Sequence, residues 1–245
     1  MEKIYIYGKH VITEALRSAP KAIKTVFLAP HVDDRGLKET IRGAGIRIEE
    51  LSPKILRFIG TTALHQGVVA LIAADDLVMS YNDFVKTLSV TDHLSLVLLD
   101  EIQDPQNVGA IIRSAAAFGV SGILIPPHNQ SPITGTVVKV SSGMAFRVPL
   151  VGIGNVNETI RDLKKRGFWV YGLDGDAEKS IHDEKFDAPS VFVLGNEANG
   201  IRQKTKELCD VLLRIPTNKN CESLNVSASA AVALYVWSSQ NQNKL

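Results

Sequence analysis

Residues Leu94–Ile125, LSLVLLDEIQDPQNVGAIIRSAAAFGVSGILI, read as one strand–loop–helix–strand unit. Leu94–Leu99 is an unbroken apolar run of strand length, the pattern of a strand covered on both faces. Asp104-Pro105 marks a turn, Asn107 is of a type that caps helices, and Asn107–Phe118 has helical patterning. Gly122–Ile125 returns as a second apolar strand. Such a unit predicts a parallel sheet with helices on both faces, whose ligands bind at the carboxyl ends of the strands.

Outward from this unit the alternation continues. Toward the C-terminus the patterning predicts helices over Ile133–Ser141, Asn157–Arg166 and Arg202–Leu208 and a last helix over Ser223–Trp237. Between them it predicts strands over Phe168–Leu173, Ser190–Leu194 and Val211–Ile215. Toward the N-terminus it predicts a helix over Gly8–Arg17, strand Thr25–Ala29, helix Leu37–Ala44, strand Ile46–Leu51, a short helix opened by Pro53, and a buried strand over Gly67–Ala74. The chain therefore divides into a small α/β domain over 1–75, a more polar linker over 76–92 with one short helix at Tyr81–Leu88, and a larger α/β domain over 93–245.

Composition narrows the function classes. The 245 residues carry a formal net charge of +1, so nucleic-acid binding would depend on local patches. The two cysteines, Cys209 and Cys221, have no ligand-like spacing, which argues against a disulfide framework and a metal site and fits a reducing compartment. The N-terminal stretch is too charged for a secretory leader, and no run approaches the roughly 20 apolar residues of a membrane helix. A cytoplasmic protein without membrane contact is expected.

Three strand-to-helix junctions concentrate polar groups. In the first, Leu99–Gly119, Arg113 has small neighbours one turn away (Gly109, Ala110, Ala116, Ala117), so its planar fork is placed to grip a phosphate, or is a solvated helix residue. In the second, Val191–Ile201, strand VFVL runs into Gly195, Asn196 and Glu197, where glycine permits close approach of a ligand to the backbone. In the third, Arg214–Trp237, the polar run Asn218–Ser223 precedes Ser223, Asn225, Ser227 and Ser229, more short polar groups than capping alone needs. Weaker signals fall to ordinary explanations. GIGNVNE at Gly152–Glu158 is an incomplete dinucleotide fingerprint behind a strand weakened by Pro149; Lys164-Lys165-Arg166 reads as a solvated helix end; His65 is a polar group before a strand; no GxSxG occurs.

Taken together and in order, LDEIQDPQNVGAIIRSAAAFG, VLGNEANGI and IPTNKNCESLNVSASAAVAL resemble the three motifs of the SpoU (TrmH) family of RNA ribose 2′-O-methyltransferases. IYGKHVITEALR and HQGVVA resemble the substrate-binding domain of the branch that modifies a guanosine in 23S ribosomal RNA. The resemblance implies a C-terminal SPOUT-type α/β domain with a deep trefoil knot and a small N-terminal α/β (L30e-like) domain that binds RNA. It implies S-adenosylmethionine as cofactor, held by Leu173, Leu194, Gly195, Ile215, Pro216, Leu224 and Asn225. It implies Arg113, Asn107, Glu197, Ser223 and Asn225 as catalytic residues, with Arg113 against the ribose hydroxyl and its phosphate and the others orienting it. It also implies a homodimer, with residues of both subunits near the site, and RNA contacts by Lys3, Lys9, Arg17, Lys21 and Lys24. The chain departs from the motifs at Lys219, bulkier than the usual small residue, and at Asn196 and Asn199. A transfer-RNA methyltransferase, a non-catalytic RNA-binding assembly factor and a nicotinamide oxidoreductase are the competing readings.

Overall fold

The structure, a computed structural model, describes residues 3–60, 64–73, 76–218, 220 and 223–241. The first series of elements is β1 (Lys3–Tyr7), α1 (Lys9–Ser18), β2 (Ile23–Leu28), α2 (Arg35–Gly43), β3 (Arg47–Glu50), α3 (Pro53–Ile59) and β4 (Val68–Ala73). They form a four-stranded sheet in the order β1-β4-β2-β3, antiparallel except for the β2–β3 pair. β1 has no counterpart in the sequence expectation; its five residues alternate buried Ile4 and Ile6 with half-buried Tyr5 and Tyr7. A single residue, Gly8 at φ 94°, links it to α1.

The second series is β5 (Val78–Ser80), α4 (Tyr81–Thr87), β6 (Ser95–Asp100), α5 (Pro105–Ala117), β7 (Gly122–Ile125), α6 (Gly135–Val140), β8 (Leu150–Gly152), α7 (Val156–Lys165), β9 (Trp169–Leu173), β10 (Lys179–Ser180), β11 (Ser190–Gly195), α8 (Gln203–Lys206), β12 (Val211–Arg214) and α9 (Val226–Asn241). The sheet runs β10-β12-β9-β11-β6-β7-β8-β5, and every pair from β10 to β8 is parallel. All six residues of β6 and all six of β11 are buried, as their continuous apolar runs predict. β8 forms despite Pro149, because the proline lies one residue outside the strand and lends only its carbonyl, which accepts from the Ile123 N–H at 2.9 Å. The last helix begins at Val226, three residues later than its patterning suggests.

Two compact units result, and they interleave along the chain: Met1–Val78 with Ile133–Arg147, and Met79–Pro132 with Val148–Leu245. In the first unit α6 lies so close to β1 that a Cβ on Gly135 would sit 2.1 Å from the Tyr5 carbonyl oxygen. The Lys139 ammonium lies 4.7 Å from the centre of the Tyr7 ring and donates to the Leu64 carbonyl. The stretch 76–92 holds β5 and α4, the latter being the short helix expected there. The first unit carries thirteen Lys and Arg against nine Asp and Glu, and the second fourteen against seventeen, so the near-neutral total hides a basic unit and an acidic one. Among the described residues no helix is long and apolar enough to cross a membrane.

Candidate active site

The register of the larger sheet places Leu99 beside Leu194 and Asp100 beside Gly195, so the carboxyl ends of β6 and β11 open onto the same space. Gly195 is required by its surroundings: a Cβ there would lie 2.2 Å from the carbonyl carbon of Gly200 and the nitrogen of Ile201. The chain has turned back at once, with Asn196 N donating to Gly200 O and Gly200 N to Asn196 O. The Asn196 side-chain oxygen accepts from the N–H groups of Ala198 and Asn199, which tightens the turn. Gly195→Ala is expected to force this loop open. Amide hydrogen exchange at Asn196 and Gly200 should then accelerate about tenfold or more, as expected when a hydrogen-bonded pair is lost.

The loop presents Glu197 to the start of α5. Its carboxylate accepts from Asn107 Nδ2 at 2.9 Å, from the Asp104 N–H at 3.2 Å and from the Gln103 N–H at 3.4 Å. Asn107 does not cap α5; Asp104 does, accepting from the Gln106 N–H with Pro105 in the first turn. Asn107 lies inside the helix, buried, with its amide spanning two partners: it donates to Glu197, and its oxygen accepts from Asn225 Nδ2 at 2.9 Å. Asn225 in turn caps α9, its side-chain oxygen accepting from the Ser227 N–H at 2.8 Å. The polar groups of the three junctions thus form a single chain, Glu197–Asn107–Asn225, and Asn225 serves both as cap and as link.

Burial alone would raise the Glu197 pKa, but the Asn107 amide and the N–H groups of the 103–104 turn outweigh it and hold the carboxyl below its ordinary value. A depressed folded-state pKa contributes stability that is present above the unfolded value and lost as pH falls through the folded one. Glu197→Gln should therefore flatten the acid limb of a stability-against-pH curve and leave its neutral limb parallel to that of the parent.

Beside this chain of side chains lies a cavity of about 460 Å³, walled by the loops after β9, β11 and β12. Of the expected cofactor-binding residues, Leu173, Leu194, Gly195, Ile215, Leu224 and Asn225 line it; Ser223 and Glu197 line it as well. Pro216 is not among its lining residues. Arg113 does not line it either: it is exposed on α5, six residues beyond Asn107, without a hydrogen bond or ion pair to the described residues. Lys219, Cys221 and Glu222 lie outside the described residues.

Two acidic residues were not among the expected site residues. Asp174 follows β9 directly and stands on the cavity wall, ion-paired with Lys206 and accepting from the Asp176 N–H at 3.0 Å. Asp100 is the last residue of β6, is fully buried, and accepts from Arg202 Nε at 2.9 Å and the Arg202 N–H at 3.2 Å. The available signal was the position of each acid at the carboxyl end of an apolar run. Among the described residues no group of three or more His, Cys, Asp or Glu could hold a metal ion. The volume lies within the range of small-molecule sites, about 300–1,000 Å³, and the three loops offer backbone groups and two carboxylates, Asp174 and Glu197, to a ligand with both apolar and hydrogen-bonding edges.

The model of the SpoU rRNA Methylase family matches residues 95–235, and that of the RNA 2′-O ribose methyltransferase substrate-binding family matches residues 5–77. A 23S rRNA (guanosine-2′-O-)-methyltransferase of Xanthomonas axonopodis is 40% identical over 237 residues, 94% of each chain. One of Vibrio cholerae is 35% identical over 239 residues, 96% of each chain. The SpoU methyltransferase AviRb of Streptomyces viridochromogenes, solved with AdoMet, superposes with a TM-score of 0.83 at 24% identity, covering 98% of this chain and 91% of its own. An AdoMet-bound rRNA methyltransferase of Sinorhizobium meliloti gives 0.81 at 23% identity, covering 99% and 88%.

Proposed function

The chain belongs to the SpoU rRNA Methylase family, and from that premise we infer that it methylates the 2′-hydroxyl of a guanosine ribose in 23S ribosomal RNA. The observation that carries this reading is the Glu197–Asn107–Asn225 chain at the wall of the three-loop cavity. It joins all three motif regions at one place, which a fold kept only for binding would not need.

S-adenosylmethionine, when bound in this cavity, supplies an activated methyl group. The fit rests on the cavity's volume, on Gly195, which leaves backbone bare at the wall, and on Asp174, a carboxylate suited to hydroxyl groups. The chain's own task is to place a ribose hydroxyl in line with that methyl and to manage its proton. Asn107 and Glu197 fix the start of α5, and α5 carries Arg113. A guanidinium stays protonated, so Arg113 acts by holding the flanking phosphate and stabilising the developing alkoxide. Ser223 and Asn225 define the cofactor side of the same space.

The active form is a homodimer, supported by α9, which carries no charged residue and leaves Tyr235 57% exposed beside the Phe118 ring. The segment from β12 into α9 threads a knot, supported by the hydrogen bonds that tie Gln240 and Asn241 at the end of α9 to Glu184 and Phe186, in the connection from β9 to β11. The basic first unit holds the RNA, and the protein works in the cytoplasm on ribosomal RNA. The test is transfer of labelled methyl from S-adenosylmethionine to unmodified 23S rRNA, followed by mapping of 2′-O-methylation. One labelled ribose is expected; no label on either naked RNA or precursor particles would overturn the reading.

A further inference from the structure

We propose that the first unit carries a pocket for one unpaired nucleobase of the substrate RNA, stacked on Phe58. This rests on the RNA-methylating reading above and adds to it a site separate from the cofactor cavity.

The sheet of the first unit turns Tyr5, Tyr7 and Phe27 to one face, where Val69 and Leu71 complete an apolar surface. Among the described residues α3 lies over that face without burying any of its own side chains fully, and Thr134, Gly135 and Thr136 at the start of α6 stand at its edge. An aromatic sheet face is therefore left incompletely sealed, over a cavity of about 710 Å³ that lies wholly within the unit. Phe58 stands in its wall, 61% exposed, with one face stacked on Tyr5 at 5.0 Å between centroids and 12° between planes. Burying a phenylalanine ring is favourable, so leaving this one open costs stability unless something planar covers its outer face.

The polar groups of the cavity select the ligand. Glu49 pairs with Phe27 across the sheet and so shares its face; its carboxylate, ion-paired with Arg47 at 2.9 Å, would repel a phosphate but can accept hydrogen bonds from the N–H edge of a base, as guanine offers. Lys54 shares the wall and Arg57 follows on the same helix, cations for the phosphates on either side. A flat aromatic wall, a carboxylate on the same sheet face and cations alongside suit a splayed-out base in single-stranded RNA, which aromatic residues bind by stacking.

The test uses a short hairpin containing the mapped methylation site, with abasic substitutions introduced one position at a time, and binding read by fluorescence polarisation. For the parent protein one abasic position is expected to weaken binding about tenfold, the scale of one lost stacking contact. Phe58→Ala should weaken binding of the intact hairpin by a similar factor and lose sensitivity to that one position alone. Phe58→Trp should keep the sensitivity, and kcat at saturating RNA should hold in both variants. If Phe58→Ala binds like the parent, or weakens every abasic hairpin equally, the pocket is refuted. A parent protein that binds no 23S hairpin would refute the substrate reading itself, and the pocket with it.

Discussion

Replacing Arg113 with alanine is expected to slow methyl transfer by about 10²–10³-fold, the scale seen when one preorganised group that stabilises a developing oxyanion is removed. The binding constant for S-adenosylmethionine should not move, because Arg113 lies outside the cavity the cofactor would fill. Stability should not move either, since the side chain is exposed and has no hydrogen bond or ion pair with the described residues. Single-turnover kinetics with saturating RNA and calorimetric titration of the cofactor separate these quantities. Equal losses in turnover and cofactor binding would show that Arg113 shapes the cavity instead. Arg113→Lys is an informative companion. It keeps the charge but loses the planar fork, so it should recover only a small part of the rate if the guanidinium spans phosphate and hydroxyl together.

Much of this site was legible in the sequence because its parts sit at strand ends, and strand ends are marked by composition. The apolar runs of β6 and β11 stop at Asp100 and Gly195, so the junctions could be placed to within a residue. What could not be read was which polar side chain meets which. Asn107 has the residue type of a helix cap, so local chemistry favoured capping; Asp104 takes that role three residues earlier, where Pro105 fixes the first turn. Ser223 and Asn225 are both of a type that caps the last helix; Asn225 does so, but its amide nitrogen also reaches across 118 residues of sequence to Asn107, and no spacing rule encodes such a contact. The first unit was legible for the same reason and to the same limit. Its helices and most of its strands follow from periodicity, whereas the packing of α6 against β1 depends on Gly135 meeting the Tyr5 carbonyl, a long-range fit.

The largest expected change in stability comes from Arg202→Met. Asp100 is fully buried at the end of β6, and Arg202 is the partner that satisfies it, through both its side chain and its own N–H. The same guanidinium reaches Glu101 at 3.1 Å, and Asn196 Nδ2 donates to the Glu101 carbonyl at 2.8 Å, so the ends of β6 and β11 are fastened at three successive points before Glu197 is reached. Removing one partner of a fully buried ion pair costs about 3–5 kcal/mol; here Arg202 is 45% exposed and its N–H still bonds Asp100 in the variant, so about 1–3 kcal/mol is expected, still more than the loss of a surface pair. Both tryptophans of the chain, Trp169 and Trp237, lie in the second unit, so denaturation followed by tryptophan fluorescence reports that unit alone. Asp100→Asn in the Arg202→Met background should return a large part of the loss, because a neutral amide no longer needs the cation. A double variant as unstable as the sum of the two single ones would mean that the pair is not the fastening it is taken to be. The Glu197 network offers an independent check. If Arg202 holds the two loops in register, turnover should fall in Arg202→Met at temperatures where the unit is still folded, while the cofactor binding constant changes less.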